Sequence, residues 1–370
     1  MRAVDLFAGP GGWDVAARTL DVDPLGIEWD DAACAVRRAA GLPTLQADVA
    51  ALDPRDHPCE LLIASPPCTA FSMAGKGEGR RDVDLILSVL QDLADGLDTR
   101  AQARDALGEP PPGALFGYQI GDPSSLLVVE PLRWALAARP RLIALEQVPP
   151  VLPLWQKMAD YLVAYGYGCW TGIVSAEQHG VAQTRKRAIL LASLNGFVPP
   201  TPTHTLYVKG APRQAFGLQP WVSMAEALGW GMTDRPYPAI ASSRTTGGPD
   251  KEKVGGSAAR AVLYEEQAAG RWIPPWPFER PATTIQADSR VWPPGHKQNA
   301  DDVAAGRLHY EGRAGENAIR VSEQEAARLQ SFPDDYPWAA AGTRSAQFQC
   351  IGNAVPPLMG AAILKGLTGR

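Results

Sequence analysis

Cys68, one of five cysteines in this chain of 370 residues, stands where a thiol could act as a nucleophile. It follows the run Leu61-Leu62-Ile63-Ala64-Ser65-Pro66-Pro67. Two prolines can neither continue a sheet nor start a regular helix without strain, so the chain must turn and hold the cysteine on a stiff loop. A thiol at the carboxyl end of a buried strand lies where open α/β sheets take their ligands, and its thiolate is the attacking form. Taken alone, such a cysteine is more often a small buried hydrophobe; its company argues otherwise. Glu146 ends a second apolar strand, 141–145, and prolines follow it at Pro149-Pro150. In a pocket walled by apolar and proline side chains its ionised form would be disfavoured, which suits an acid that donates to a substrate base. A surface salt bridge is the other reading. Arg185 and Arg187, in Gln183-Thr184-Arg185-Lys186-Arg187, would share one face of a strand and could clamp a polar base edge or a carboxylate.

Other strand ends carry residues suited to a nucleotide-like ligand. Residues 2–7 read as a short buried strand, Ala8-Gly9-Pro10-Gly11-Gly12 as a tight turn, and 13–20 as a helix. That order lets backbone approach a nucleotide closely, yet the GxGxxG spacing of nicotinamide sites is missing. The strand 24–29 ends in Glu28-Trp29-Asp30, where an acid can hydrogen-bond both ribose hydroxyls, and 44–47 leads to Asp48-Val49, where a carboxylate can accept from an adenine amino group. Each of these acids could instead cap the helix that follows it.

Composition sets outer limits. Hydrophobic residues are 45% and charged residues 20%, as in a soluble globular protein, and no apolar run approaches a membrane span. The cysteines are odd in number, widely spaced and without a CxxC pair, so neither a disulfide framework nor a zinc site is expected, and no metal is called for. A strand starting at Arg2 leaves no room for a cleavable leader, and the expected location is the cytoplasm. The net charge of −5 argues against nucleic acid only as a sum, because binding needs a local basic face. The 34 prolines and 36 glycines predict many ordered loops.

Along the chain, Gly75-Lys76-Gly77-Glu78-Gly79-Arg80-Arg81 reads as a mobile flap basic enough to meet phosphates. A polar helix is expected at 83–94, a turn-rich stretch at 95–122, an amphipathic helix at 124–138 and another helix at 151–165. Segments 169–175 and 186–193 read as an antiparallel pair. From about Asn195 the composition shifts to short strands broken by Pro, Gly and Trp with scattered basic residues, a mixture suited to a polyanion, although a plain β-rich domain explains it almost as well. Residues 321–330 read as a helix with Ser322 and Glu325 forming a capping box, and 358–367 as the last helix.

Taken in order, these motifs resemble the cytosine-5 DNA methyltransferases along nearly the whole chain. They are Asp5-Leu6-Phe7-Ala8-Gly9-Pro10-Gly11-Gly12, Glu28-Trp29-Asp30, Asp48-Val49, Pro66-Pro67-Cys68 with Phe71-Ser72, Glu146-Gln147-Val148, Gln183-Thr184-Arg185-Lys186-Arg187, Arg280-Pro281 with Thr284, and Gly352-Asn353-Ala354-Val355. The resemblance implies an α/β fold, the Rossmann-like mixed sheet of S-adenosylmethionine-dependent methyltransferases, with a smaller loop- and strand-rich target recognition domain. It places catalytic residues 1–194 (with an insertion at about 83–122), a recognition domain at 195–279, and a return segment 280–370 whose last helix completes the catalytic domain. It implies S-adenosyl-L-methionine lined by Phe7, Gly9, Gly11, Glu28, Trp29, Asp48, Val49, Pro67, Asn353 and Val355, and catalysis by Cys68, Glu146, Arg185 and Arg187. Double-stranded DNA is the implied partner, met by Ser72, Lys76, Arg80, Arg81, Arg244 and Arg280. A separately encoded restriction endonuclease is a further implied partner, and the enzyme is expected to act as a monomer. One departure is plain: the family usually has Asn after the catalytic Glu, and here Gln147 lengthens a residue that supports the loop.

The implied chemistry explains the residue types. Carbon 5 of cytosine is a poor nucleophile, so Cys68 thiolate must first add to carbon 6. Glu146 then hydrogen-bonds ring nitrogen 3, Arg187 holds the carbonyl at carbon 2, and the base must be flipped out of the duplex. The same chemistry on transfer RNA, or a non-catalytic DNA-binding homologue, are the alternatives.

Overall fold

The structure, a computed structural model, describes residues 1–67, 82–108, 123–208, 213, 215, 217–228, 282–283 and 322–370. Its strands are β1 (Arg2–Leu6), β2 (Asp23–Glu28), β3 (Thr44–Gln46), β4 (Leu61–Ala64), β5 (Leu142–Gln147), β6 (Gly168–Ser175), β7 (Gln183–Thr184), β8 (Lys186–Ser193) and β9 (Ala282–Thr283). The helices are α1 (Gly12–Arg18), α2 (Asp31–Ala39), α3 (Val83–Ala94), α4 (Arg100–Gly108), α5 (Glu130–Ala138), α6 (Leu152–Ala164), α7 (Met224–Leu228), α8 (Glu323–Leu329), α9 (Arg344–Asn353) and α10 (Pro357–Thr368). The chain divides into two compact units, one of residues 1–175, 186–201 and 359–370, the other of residues 176–185 and 202–358.

The first unit is built on a seven-stranded sheet in the order β3-β2-β1-β4-β5-β8-β6. The first five strands are mutually parallel, and β8 pairs antiparallel with both β5 and β6, which makes the sheet mixed. Leu61, Leu62, Ile63 and Ala64 of β4 are wholly buried, the continuous apolar run of a strand covered on both faces. The order reverses between β1 and β4, the switch point at which open α/β sheets take ligands beyond the carboxyl ends of their strands.

Several helices differ from the sequence expectation for readable reasons. α3 is not polar: Ile86, Val89, Leu90 and Leu93 form a buried face at helical spacing. The stretch expected to be turn-rich contains a helix, α4, whose Ala103 and Leu107 join the core. The helix expected at 124–138 is a 3-10 turn over Pro123–Val129 followed by α5. Pro131 sits in the first turn of α5, where its missing N–H costs nothing, whereas a longer α-helix would run its ring into a carbonyl.

α10 returns to the first unit. Gly360 allows this, since a Cβ there would stand 3.0 Å from Ala16 and 3.1 Å from Trp13 on α1. Gly366 lets its helix meet residue 198, whose N–H donates to Gly366 O at 3.0 Å. The apolar stretch 344–368 is largely buried and is interrupted at 354–356, so it forms two separate helices, α9 and α10.

In the second unit β7 pairs in parallel with β9, and Ser322 and Glu325 form the expected capping box on α8. Trp221 is buried there under the guanidinium of Arg213, 4.7 Å from its ring. Most of the expected recognition domain, including Arg244, and also Arg280, lies outside the described residues.

Beneath the glycine turn lies a buried charged group. Arg37 of α2 forks onto Asp14 of α1 at 2.7 and 2.8 Å, both side chains at 0% exposure. Gly26 leaves the space: a Cβ there would fall 1.8 Å from the guanidinium. Burial pushes the carboxyl of neighbouring Asp5 well above the usual range, Asp14 adds to the shift, and Arg37 opposes it. An acid whose folded pKa is raised contributes fully below its unfolded value, and that contribution is lost as pH rises toward the folded one. Asp5→Asn should therefore gain stability over the unaltered protein as pH increases from about 5 to about 8, measured by urea titration at both values. A difference that stays flat with pH would contradict this.

Candidate active site

Because β1 to β5 are parallel, their carboxyl ends fall on one edge, and the first unit's candidate residues follow from it. β1 leads into a turn in which Phe7, Gly9 and Gly11 have φ of 57°, 54° and 104°. Glycine adopts these values freely, but for Phe7 the left-handed conformation costs about 1–2 kcal/mol, a strain typical of functional turns. Ala8 N–H donates to Ile27 O at 3.1 Å and pins the turn across to β2.

At the end of β2, Glu28 Oε2 accepts from Gly9 N–H at 2.8 Å, and Oε1 accepts from Trp29 N–H at 2.8 Å and Asp30 N–H at 2.9 Å. Glu28 does not cap α2; Asp30 does, accepting from Ala33 N–H at 2.8 Å. Three amides fill three of the roughly four lone-pair positions of a carboxylate, which leaves room for one hydroxyl donor. Trp29 beside it is 66% exposed, an aromatic face open for stacking. Asp48, after β3, is exposed; its Oδ1 accepts from Ala50 N–H at 2.9 Å and caps the 3-10 turn Val49–Ala51, with Val49 buried. Asp48 therefore caps the turn that follows it, the other of the two readings, with its second carboxylate oxygen outside that bond.

β4 delivers Ser65, Pro66 and Pro67, the residues that precede Cys68 in the sequence. Ser65 Oγ accepts from Trp13 Nε1 at 2.9 Å, and Gln147 Nε2 donates to Pro66 O at 2.8 Å. The side-chain oxygen of Gln147 meanwhile accepts from Val148 N–H. The longer side chain therefore still bridges the end of β5 to the cysteine loop.

Glu146, expected against an apolar wall, instead meets a cation: its Oε1 lies 2.6 Å from Arg187 Nε, with both side chains nearly buried. Their strands β5 and β8 are adjacent, which brings together residues 41 positions apart in the chain. Arg185 does not share that role. It falls in the break between β7 and β8, is 2% exposed, and its Nη1 donates to Gly352 O at 2.9 Å within the second unit. The two-arginine face is corrected accordingly: the strand breaks between them and each guanidinium has its own partner. Gln330 Nε2 donates to Ile351 O, so Arg185 and Gln330 together hold the end of α9, which carries exposed Asn353 just before buried Val355.

Cys68, Ser72, Lys76, Arg80 and Arg81 lie outside the described residues. Burial pushes the thiols of Cys34, Cys59 and Cys169 up to about 11, away from thiolate character. Sequence reading passed over Trp13, Arg37, Arg100, Glu130 and Arg133. The signal available for Arg37 was its place on the apolar stripe of α2 with Ala33 and Cys34.

A model of the C-5 cytosine-specific DNA methylases matches residues 1–91 and 117–368. M.NgoPII of Neisseria gonorrhoeae, a Type II methyltransferase, is 24% identical over 96% of this chain and 92% of its own length. M.SacI of Streptomyces achromogenes, likewise a Type II methyltransferase, is 26% identical over 99% and 92%. Against M.BspRI of Lysinibacillus sphaericus (24% identical, 67% of this chain) and M.BsuRI of Bacillus subtilis the match spans 55% and 53% of the relatives' lengths, about half. Among solved structures, S. pombe Dnmt2 methyltransferase superposes with a TM-score of 0.59 at 15% identity, over 100% of this chain and 98% of that one, which shows a shared fold. The match along nearly the whole chain, with the glycine turn, the strand-end acids and Pro66-Pro67 on one parallel edge, means that this protein belongs to the C-5 cytosine-specific DNA methylase family.

Proposed function

We propose that this protein methylates carbon 5 of a flipped cytosine in duplex DNA, as the protective half of a restriction-modification pair. The observation that carries the reading is the gathering of Glu28, Asp48, Pro66-Pro67 and Glu146 at the carboxyl ends of the five parallel strands of one sheet, inside a chain of this family. S-adenosylmethionine supplies the methyl group when bound. The edge fits it: Glu28 has room for a ribose hydroxyl, Trp29 offers a stacking face, and Asp48 offers an acceptor for the adenine amino group.

In this reading Cys68 thiolate bonds to carbon 6, and carbon 5, now electron-rich, takes the methyl group. Glu146 hydrogen-bonds ring nitrogen 3, and Arg187, 2.6 Å from its Oε1, fixes the carboxyl group and reaches the carbonyl at carbon 2. A base, for which water suffices, then removes the carbon 5 proton and the thiolate leaves. Gln147 steadies the loop through Pro66 O, and Arg185 acts as a positioning residue for Asn353. The segment 195–279 reads the target sequence.

Bisulfite sequencing of DNA from a host without cytosine methylation should, once the protein is expressed, reveal protected cytosines within one short sequence. Unprotected DNA together with newly protected transfer RNA would replace this reading with the RNA one. For the cofactor, Glu28→Ala should weaken S-adenosylmethionine binding by about 1.5–3 kcal/mol in calorimetric titration, because a charge-assisted acceptor is lost. Unchanged affinity would remove Glu28 from the site.

A further inference from the structure

We infer that Arg100, Glu130 and Arg133 form a clamp that positions Asp48 and so makes the site select adenine; this rests on the methyl-donor reading above. The short turn Val49–Ala51 leaves carbonyls without helical partners. Arg133 supplies two of the missing donors, from Nη2 to Val49 O and from Nη1 to Leu52 O, both at 2.9 Å. Arg100 supplies another, from Nη1 to Ala50 O at 3.2 Å.

Glu130, 2% exposed, sits between the two guanidiniums, with Oε1 2.6 Å from Arg100 and Oε2 2.7 Å from Arg133. Asp98 takes the outer fork of Arg100, Nε at 2.8 Å and Nη2 at 2.7 Å. The same turn holds the acid: Ala50, whose carbonyl Arg100 grips, donates its N–H to Asp48 Oδ1. A shift of the turn therefore moves the carboxylate that would meet the adenine amino group.

The clamp draws on both sides of the family match: Glu130 and Arg133 lie within the matched span 117–368. Arg100 and Asp98 come from residues 92–116, the span the family model leaves unmatched, and Arg100 opens α4. Thr99 Oγ1 donates to Asp92 Oδ2 at 2.7 Å and ties this segment back to α3. The insertion thus has an assigned task, to supply one arm of the clamp. A purely structural trio would support folding without affecting which base is bound.

Calorimetry with two ligands separates these roles: S-adenosylhomocysteine, and S-inosylhomocysteine, in which a carbonyl oxygen replaces the amino group that faces Asp48. The unaltered protein should prefer the adenosyl form by about tenfold or more, the scale of a hydrogen bond to a charged group. Arg133→Met should lose most of that preference while its affinity for the inosyl form stays within about twofold. Arg100→Met should move the same way and decides the matter should Arg133→Met fail to fold. Arg104→Met, exposed on the same helix, should leave the ratio unchanged. A ratio that persists in the folded clamp variants, or is lost equally in Arg104→Met, overturns the clamp. An unaltered protein that binds both ligands equally also overturns it, and one that binds neither overturns the methyl-donor reading as well.

Discussion

Duplex DNA carrying 5-fluorocytosine at the methylated position should trap the unaltered protein, with S-adenosylmethionine present, in a complex that survives denaturing electrophoresis; Cys68→Ser should trap none. Fluorine at carbon 5 cannot leave as a proton does, so the final elimination stops and the bond from sulfur to carbon 6 persists. A serine hydroxyl is hardly ionised near neutral pH, whereas a thiol is a few per cent thiolate, so exchange of one atom removes the nucleophile. Single-turnover methylation should fall by on the order of 10³-fold or more, as when an enzyme loses its attacking group. S-adenosylmethionine binding should survive, because the sulfur is assigned to the flipped base and not to the adenosyl group. An adduct formed by the serine variant, or none formed by the unaltered protein on a substrate it methylates, would contradict covalent catalysis. The three cysteines that burial holds near 11 are poor substitutes for the missing thiolate, so the residual rate should be low.

Arg37→Met should destabilise the protein by about 3–5 kcal/mol, the usual result of leaving one partner of a buried ion pair alone. Methionine nearly fills the volume of the arginine stem but returns nothing to Asp14, which is 0% exposed and accepts two guanidinium bonds. Pro43 O, which takes a 3.1 Å bond from Arg37 Nη2, and Thr44 Oγ1, 3.1 Å from its Nε, would lose donors as well. The double variant Asp14→Leu with Arg37→Met should recover much of the loss, since replacing both charges by apolar groups is often nearly neutral. Urea titration of the single and double variants measures this. A single variant within about 1 kcal/mol of the unaltered protein would show that Asp14 finds another partner or a proton. Lying under the glycine turn, the pair also links stability to the shape of that turn: Arg37 Nη1 reaches Ala8 O at 3.5 Å.

Residue types and spacing by themselves determined where chemistry could occur, because local rules govern strand ends. Prolines 66 and 67 had to stop β4 and Pro149 had to stop β5, the glycines 9 and 11 had to carry positive φ, and Ser322 with Glu325 had to begin a helix. The order of the motifs carried the family resemblance, and with it the fold class. Only the tertiary structure decided which charge meets which. Glu146 pairs with Arg187 because β8 lies against β5; Arg185, two residues earlier, faces Gly352 because the strand breaks between them; and Gln147 reaches Pro66 across 81 residues. The charged clamp and the Arg37–Asp14 pair likewise join segments separated by 23 to 84 residues. Helical and strand periods report which face of one element is buried, but the choice of ion-pair partner depends on the register between distant elements. That register is set by how the crossovers pack.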